Sequence, residues 1–131
     1  MGLIIERIDH VVVNCRNVDA TAAWYERVLG MVREQFGPDQ RIALKFGSQK
    51  LNLRPSGAPD WETGVVDAPG SLDLCFITTS HTDEILEKLA GCGVAIAEGP
   101  VARTGALGGM TSVYCRDPDG NLIEIACYAA R

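Results

Sequence analysis

Histidine is scarce in this sequence: only His10 and His81 occur in 131 residues. A metal site made of three imidazoles from one chain is therefore excluded, and any metal must also use carboxylates or amides, or borrow from a second chain. Cysteines number five (Cys15, Cys75, Cys92, Cys115 and Cys127), but no two have Cys-x-x-Cys spacing and the count is odd. That argues against a disulfide framework and a cysteine-rich zinc site; reduced thiols acting as small apolar side chains are expected. No run of Lys and Arg is present, and 12 basic against 17 acidic residues give a net charge of −5. Affinity for nucleic acid is not expected from such a balance. The opening segment Met1-Gly2-Leu3-Ile4-Ile5-Glu6-Arg7 has no long apolar run, so neither a signal peptide nor a membrane anchor is expected. Glu6 stands where N-myristoylation needs Ser or Thr. These absences together point to a cytoplasmic protein without a nucleic-acid or membrane partner.

What is present is an ordinary globular composition, 47% apolar and 22% charged. The length suits one domain, residues 1–131, able to bury a core without staples. Ile8 to Asn14 is β-branched and reads as a strand. Asn17 or Asp19 can cap a helix from about Ala20 to Leu29, with Trp24, Tyr25, Val28 and Leu29 on one face and Gly30 as a left-handed C-cap. Strands follow at about 31–35, 41–46 and 50–54, separated by Pro38-Asp39 and Gly47-Ser48 turns. Pro55 to Gly70 is rich in Gly and Pro and reads as a connecting loop. The pattern then restarts. A strand spans 71–78, and Ser80 or Thr82 caps a helix carrying Ile85, Leu86 and Leu89 that ends at Gly91 and Gly93. Strands follow at about 94–97, 111–116 and 121–128. A longer glycine-bearing loop, Glu98 to Met110, suits either a mobile lid with Arg103 or Thr104 touching substrate or an ordinary flexible loop, and Asp117-Pro118-Asp119-Gly120 is a strong turn.

The halves match in order. A shift of 63 positions lays His10 on Asp73 and Gly30 on Gly93, and a shift of 72 lays Leu51-Asn52-Leu53 on Ile123-Glu124-Ile125. Such self-similarity implies two supersecondary units sharing a core: module one over 6–56, a linker over 57–70 and module two over 71–131. Alternation along each strand adds a functional clue. One face of four strands carries Val, Leu, Ile and Phe. The other carries a polar residue at an equivalent place: His10, Asn52, Asp73 and Glu124. A buried acid is costly unless it is paired or bound to metal.

Three segments carry a resemblance: Ile8-Asp9-His10-Val11-Val12-Val13, then Trp24-Tyr25-Glu26-Arg27-Val28-Leu29-Gly30-Met31, then Arg116-Asp117-Pro118-Asp119-Gly120-Asn121-Leu122-Ile123-Glu124-Ile125. With them the sequence resembles the vicinal oxygen chelate superfamily of glyoxalases, bleomycin-resistance proteins and extradiol dioxygenases, over nearly its whole length. Phe46 to Leu53 and Gly99 to Ala106 look like the subgroup of glyoxalase domain-containing protein five and bacterial virulence-associated proteins. The resemblance implies an α+β fold of two tandem βαβββ modules whose sheets form an open cup with helices outside. It also implies a homodimer, and a divalent metal (Fe, Mn, Ni, Co or Zn) that chelates vicinal substrate oxygens.

Carried over by position, His10 and Glu124 match the ligand pattern. Asp73 stands where His is common, and Asn52 where glyoxalases often have Glu. The implied metal set is His10, Asp73 and Glu124, with Glu124 and Asp73 also catalytic and with Asn52, Arg54 and Arg103 facing substrate. Arg54 falls on the same face as Asn52; it can pair with Asp73 or Glu124, or bind an anionic substrate. A metal-free cup, its acids satisfied by Arg54, Lys50 and water, is the alternative. The implied function is a metal-dependent lyase or dioxygenase acting on a small oxygenated molecule. The rival is a non-catalytic binder of the bleomycin-resistance type, and a glutathione-dependent glyoxalase is disfavoured by Asn52 and Asp73.

Overall fold

The computed structural model describes residues 2–128, and the chain divides into two compact units, Met1–Ala68 and Pro69–Arg131. The first unit runs β1 (His10–Cys15), α1 (Val18–Leu29), β2 (Val32–Phe36), β3 (Arg41–Phe46) and β4 (Gln49–Pro55). The second runs β5 (Asp73–Ile77), α2 (Thr82–Gly91), β6 (Glu98–Gly105), β7 (Gly108–Arg116) and β8 (Leu122–Tyr128). Each is therefore a βαβββ module, and the class is α+β. The sheet orders are the same, β1-β4-β3-β2 in one and β5-β8-β7-β6 in the other, each with a single parallel pair formed by its first and last strands.

In module one the helix begins where Asn17 accepts a hydrogen bond from the Ala20 backbone N–H, and it ends at Gly30, whose φ of 67° is the left-handed value a C-cap requires. Tyr25, Ala22 and Val28 of α1 bury against Val13, Leu44, Leu51 and Leu53, the apolar face read from alternation. In module two, Ile85 and Leu89 of α2 join Val113, Cys115, Ile123 and Ile125 among the buried residues. The register preserves the repeat. Val12 lies beside Asn52 in the first parallel pair, and Cys75 lies beside Glu124 in the second.

Three local expectations change. The cap of α2 is His81, not Ser80 or Thr82: its Nδ1 accepts from the Asp83 N–H at 3.3 Å while its own N–H donates to Glu84 Oε1 at 3.1 Å. Residues 94–97 form no strand; the second strand of this module is β6, inside the segment expected to be a loop. Finally, Glu98–Met110 is not a loop but a hairpin arm, with β6 and β7 joined across Gly105 and Gly108. Glycine and proline argue against a strand when read alone. Here they are tolerated because β6 is an edge strand and the register shifts between Glu98 and Val101, which takes Gly99-Pro100 out of the ladder.

The segment expected as a linker is tied into the first unit. Arg54 reaches across it to the carbonyls of Trp61 (2.9 Å) and Ala58 (2.9 Å), and the Gly57 N–H donates to Asp67.

Candidate functional site

In module one the polar face begins with His10 on the edge strand β1, an exposed residue. Its Nδ1 lies 3.0 Å from Asp9 Oδ2. A carboxylate only accepts, so Nδ1 is the donor of this hydrogen bond. The hydrogen bond from His10 holds the Asp9 carboxyl below its ordinary value. This carboxylate–imidazole pairing is the one that orients metal-binding histidines. Asn52, on β4, is buried, and its Oδ1 has no hydrogen-bond partner. An orphaned buried acceptor is costly, so this amide oxygen suits a donor or cation brought by a ligand.

Arg54 is also buried, and its hydrogen bonds run within module one. Its Nη1 donates to Asn14 Oδ1 (2.8 Å) and Asp67 Oδ2 (3.0 Å), its Nε to the Trp61 carbonyl and its Nη2 to the Ala58 carbonyl. Every side of the fork is used within module one, and the hydrogen bond from Arg54 lowers the Asp67 pKa. Lys50 lies with its ammonium 3.6 Å from the centre of the Phe36 ring. A cavity of about 420 Å³ in this module is lined by Ile42, Leu53, Pro55, Trp61 and Asp60 among others, and none of the ligand-equivalent residues contributes to it.

In module two, alternation and register put Asp73, Cys75, Ser112, Tyr114 and Glu124 on one face of the sheet. Glu124 is 8% exposed. Its Oε2 accepts a 2.5 Å hydrogen bond from Ser112 Oγ. Among the described residues no Lys, Arg or His pairs with it, and none bonds to the exposed Asp73. Burial first, and then the charge of Glu124, pushes the Cys75 thiol up to about 11. Tyr114, 8% exposed, accepts from Arg103 Nε at 3.0 Å. Burial raises the Tyr114 pKa, and the hydrogen bond to Tyr114 raises that of Arg103. Arg103 also donates to Glu98 Oε1 (3.0 Å) and the Ala102 carbonyl (3.1 Å), so it braces the β6–β7 hairpin and Tyr114.

Asp9, Ser112 and Tyr114 were not among the residues expected to matter. Asp9 was findable as a carboxylate adjacent to the one candidate imidazole. Alternation separates Ser112 and Tyr114 from Val113 and Cys115, but their nearness to Glu124 depends on the β7–β8 register, which the sequence does not print. The Asp117–Gly120 turn supports the same face. Asp117 Oδ1 accepts from the Asp119 and Asn121 N–H groups and its Oδ2 from the Asn121 side chain, while Asn121 Oδ1 accepts from the Leu72 N–H at 2.9 Å. That last bond sets β5 against β8 and so sets Asp73 and Cys75 beside Glu124.

Imidazole and carboxylate are donor types that a divalent ion takes, but His10 belongs to the first unit and Asp73 and Glu124 to the second. Among the described residues, no three His, Cys, Asp or Glu side chains gather closely enough to hold an ion. No helix is long and apolar enough to cross a membrane among those residues.

Comparison with known proteins places these features in context. The sequence pattern of the Glyoxalase/Bleomycin resistance protein/Dioxygenase superfamily matches residues 7–125. Virulence protein STM3117 of Salmonella typhimurium is 44% identical over 126 residues, covering 96% of this chain and 87% of that protein. Glyoxalase domain-containing protein RDO1 of Mycosarcoma maydis is 44% identical, covering 96% and 70%. Integron cassette protein VCH_CASS1, from the mobile metagenome of V. cholerae, superposes with a TM-score of 0.95 at 44% identity, covering 98% of this chain and all of that one. The fold is shared more distantly by a lactoylglutathione lyase from Agrobacterium tumefaciens, the antibiotic-binding protein TnmS3 from Streptomyces, and the fosfomycin resistance protein FosX of Listeria monocytogenes, solved with Mn(II).

Proposed function

The chain belongs to the Glyoxalase/Bleomycin resistance protein/Dioxygenase superfamily, and from that premise we propose that it is a divalent-metal-dependent enzyme acting on a small oxygenated molecule. One observation carries this reading: Glu124 is a buried carboxylate whose partners, the Ser112 hydroxyl, the Cys75 thiol and the Tyr114 hydroxyl, are all neutral, and it pairs with no cation among the described residues. A charge left in that state costs several kcal/mol, on the order of the penalty that a bound cation offsets. Arg54, the cation that would have made a metal unnecessary, is engaged by Asp67 instead.

In this reading Glu124 and His10 would hold the ion. Asp73 completes the set or acts as the base, and Asn52 offers Oδ1 to the substrate. When bound, the ion supplies Lewis-acid stabilisation to charge developing on adjacent substrate oxygens. Fe, Mn, Ni, Co and Zn all accept such a donor set, oxygen-preferring ions best. His10 lies in module one, and Asp73 and Glu124 lie in module two. A homodimer is supported by the apolar side chains of Leu3 and Ile4, about nine-tenths exposed, and of Ile5 and Ile8. The five cysteines form no disulfide among the described residues, which suits a cytoplasmic setting.

The test is metal analysis of protein purified without chelator and after reconstitution with each of the five ions, beside His10→Ala and Glu124→Ala. Stoichiometric binding lost in both variants supports the proposal, and absence of any stoichiometric ion refutes it. A ligand-induced melting shift that survives in both variants would replace it with the non-catalytic binder.

A further inference from the structure

We infer that the cavity beside Trp61 in module one is a binding site for a small organic cation, an amine carried on an apolar ring system. The cavity measures about 420 Å³, within the range of small-molecule pockets, about 300–1,000 Å³. It lies on the face of β4 opposite Asn52 and Arg54. Leu53 and Pro55 project there by alternation, and Ile42 stands opposite Leu53 in the β3–β4 register. The cavity is thus separate from the polar face of this sheet.

Its floor is apolar, and Trp61 forms a half-buried wall. That wall is built in advance. The buried Arg54 side chain donates to the carbonyls of Ala58 and Trp61, both at 2.9 Å, and so fixes the stretch of chain that carries Ala58, Asp60 and Trp61. The Arg41 guanidinium lies 3.9 Å from the centre of the Trp61 ring and steadies it. A pocket whose walls are already ordered loses little freedom when a ligand enters.

Charge selects the ligand. The lining holds three carboxylates, Asp19, Asp39 and Asp60, against one guanidinium, Arg41. Asp19 pairs with Arg33 at 3.3 Å, and Asp39 lies 4.0 Å from Arg41. Asp60 has neither an ion pair nor a hydrogen bond among the described residues. One carboxylate is therefore left over beside an aromatic wall and an apolar floor. An ammonium answers that carboxylate, while the ring that carries it covers Ile42, Leu53 and Pro55. An anionic ligand meets net negative charge, and the only lining cation is already stacked and paired.

The experiment titrates three probes of one shape into the full chain by calorimetry: 4-phenylbenzylamine, protonated at neutral pH, neutral 4-phenylbenzyl alcohol and anionic 4-phenylbenzoate. Ligands of about fourteen heavy atoms at ordinary efficiency bind roughly in the millimolar range. The amine is expected to bind one to one, about 2–5-fold more tightly than the alcohol, since Asp60 is exposed and the pair is partly screened. The benzoate is expected to bind most weakly. Trp61 emission in a Trp24→Phe background should shift with the amine. Asp60→Asn should bring amine and alcohol level, and Ala58→Phe, which fills the cavity, should abolish binding of both. Should Ala58→Phe not fold by far-UV circular dichroism, the exposed Asp60→Asn change carries the contrast alone. No binding of the amine up to its solubility limit would overturn the inference. So would tightest binding of the benzoate, or an amine affinity that Asp60→Asn leaves unchanged.

Discussion

The Arg54 guanidinium and the Asp67 carboxylate lie 3.0 Å apart, and through this pair the segment after β4 is bound to the sheet of module one. The arginine is buried and makes four hydrogen bonds in all. Arg54→Ala is therefore expected to destabilise the protein by about 3 kcal/mol, the scale for removing one partner of a buried charged network. Arg54→Lys should restore only part of that, because an ammonium lacks the planar fork. Urea denaturation followed by Trp61 emission in a Trp24→Phe background measures both. If Arg54 served substrate instead, its loss would leave the midpoint unchanged.

Acid should loosen the same segment. The hydrogen bond from Arg54, and then that from the Gly57 N–H, lower the Asp67 pKa below its ordinary 3.8. A depressed carboxylate contributes stability that is present above its unfolded value and is lost as pH falls through the folded one. Stability should thus decline as pH drops below about 3.8, and Asp67→Asn should flatten that part of the curve. Thermal melts between pH 2 and pH 6, a range of about four units around that value, compare the slopes.

Cys75 is exposed, yet it should react slowly. Burial of its thiol and the neighbouring Glu124 charge put its pKa at about 11, against an ordinary 9.0. Since the thiolate is the nucleophile, alkylation near neutral pH should run roughly 100-fold slower than for an ordinary thiol. Glu124→Gln removes the second cause and should speed labelling. Iodoacetamide time courses with peptide mapping separate Cys75 from the other four cysteines; a rate typical of a free thiol would contradict the assignment.

The part of the site that was legible in the sequence is the part written in period two. Alternation placed His10, Asn52, Asp73 and Glu124 on polar faces, and the repeat made them equivalent, because both features depend only on residues close in the chain. What connects strands was not legible. Ser112 meets Glu124 through a register set by β7 and β8, and Arg54 meets Asp67 through a loop with no periodicity. The Gly99-Pro100 strand was hidden for a different reason. Its local propensity opposes a strand, and only its place at a sheet edge, with a register shift, overrides it.

The Asp117–Asn121 turn should be structural rather than catalytic. Asn121 is buried; it accepts from Leu72 and donates to Asp117 at 2.7 Å. Asn121→Ala breaks both bonds and is expected to cost about 2–4 kcal/mol, two buried hydrogen bonds with one to a charged group. Because Asn121 also sets β5 against β8, the same variant should weaken metal binding in proportion to its loosening of Asp73 relative to Glu124. Chemical denaturation and Mn(II) titration on one preparation would show whether the two effects travel together.

Asp9 should matter to the metal without touching it. Its carboxylate accepts a hydrogen bond from His10 Nδ1 at 3.0 Å, which favours the tautomer protonated at Nδ1. Asp9→Asn keeps the size of the side chain but permits a flipped amide to donate to the ring, so the free nitrogen is no longer defined. Metal affinity should fall about 10-fold or more, less than the complete loss expected for His10→Ala. Both residues are exposed, so neither substitution should move the melting temperature of the metal-free protein. A titration that ranks wild type, Asp9→Asn and His10→Ala in that order supports the pairing as functional. Equal affinity for the first two would reduce it to a surface contact of the kind that contributes almost nothing.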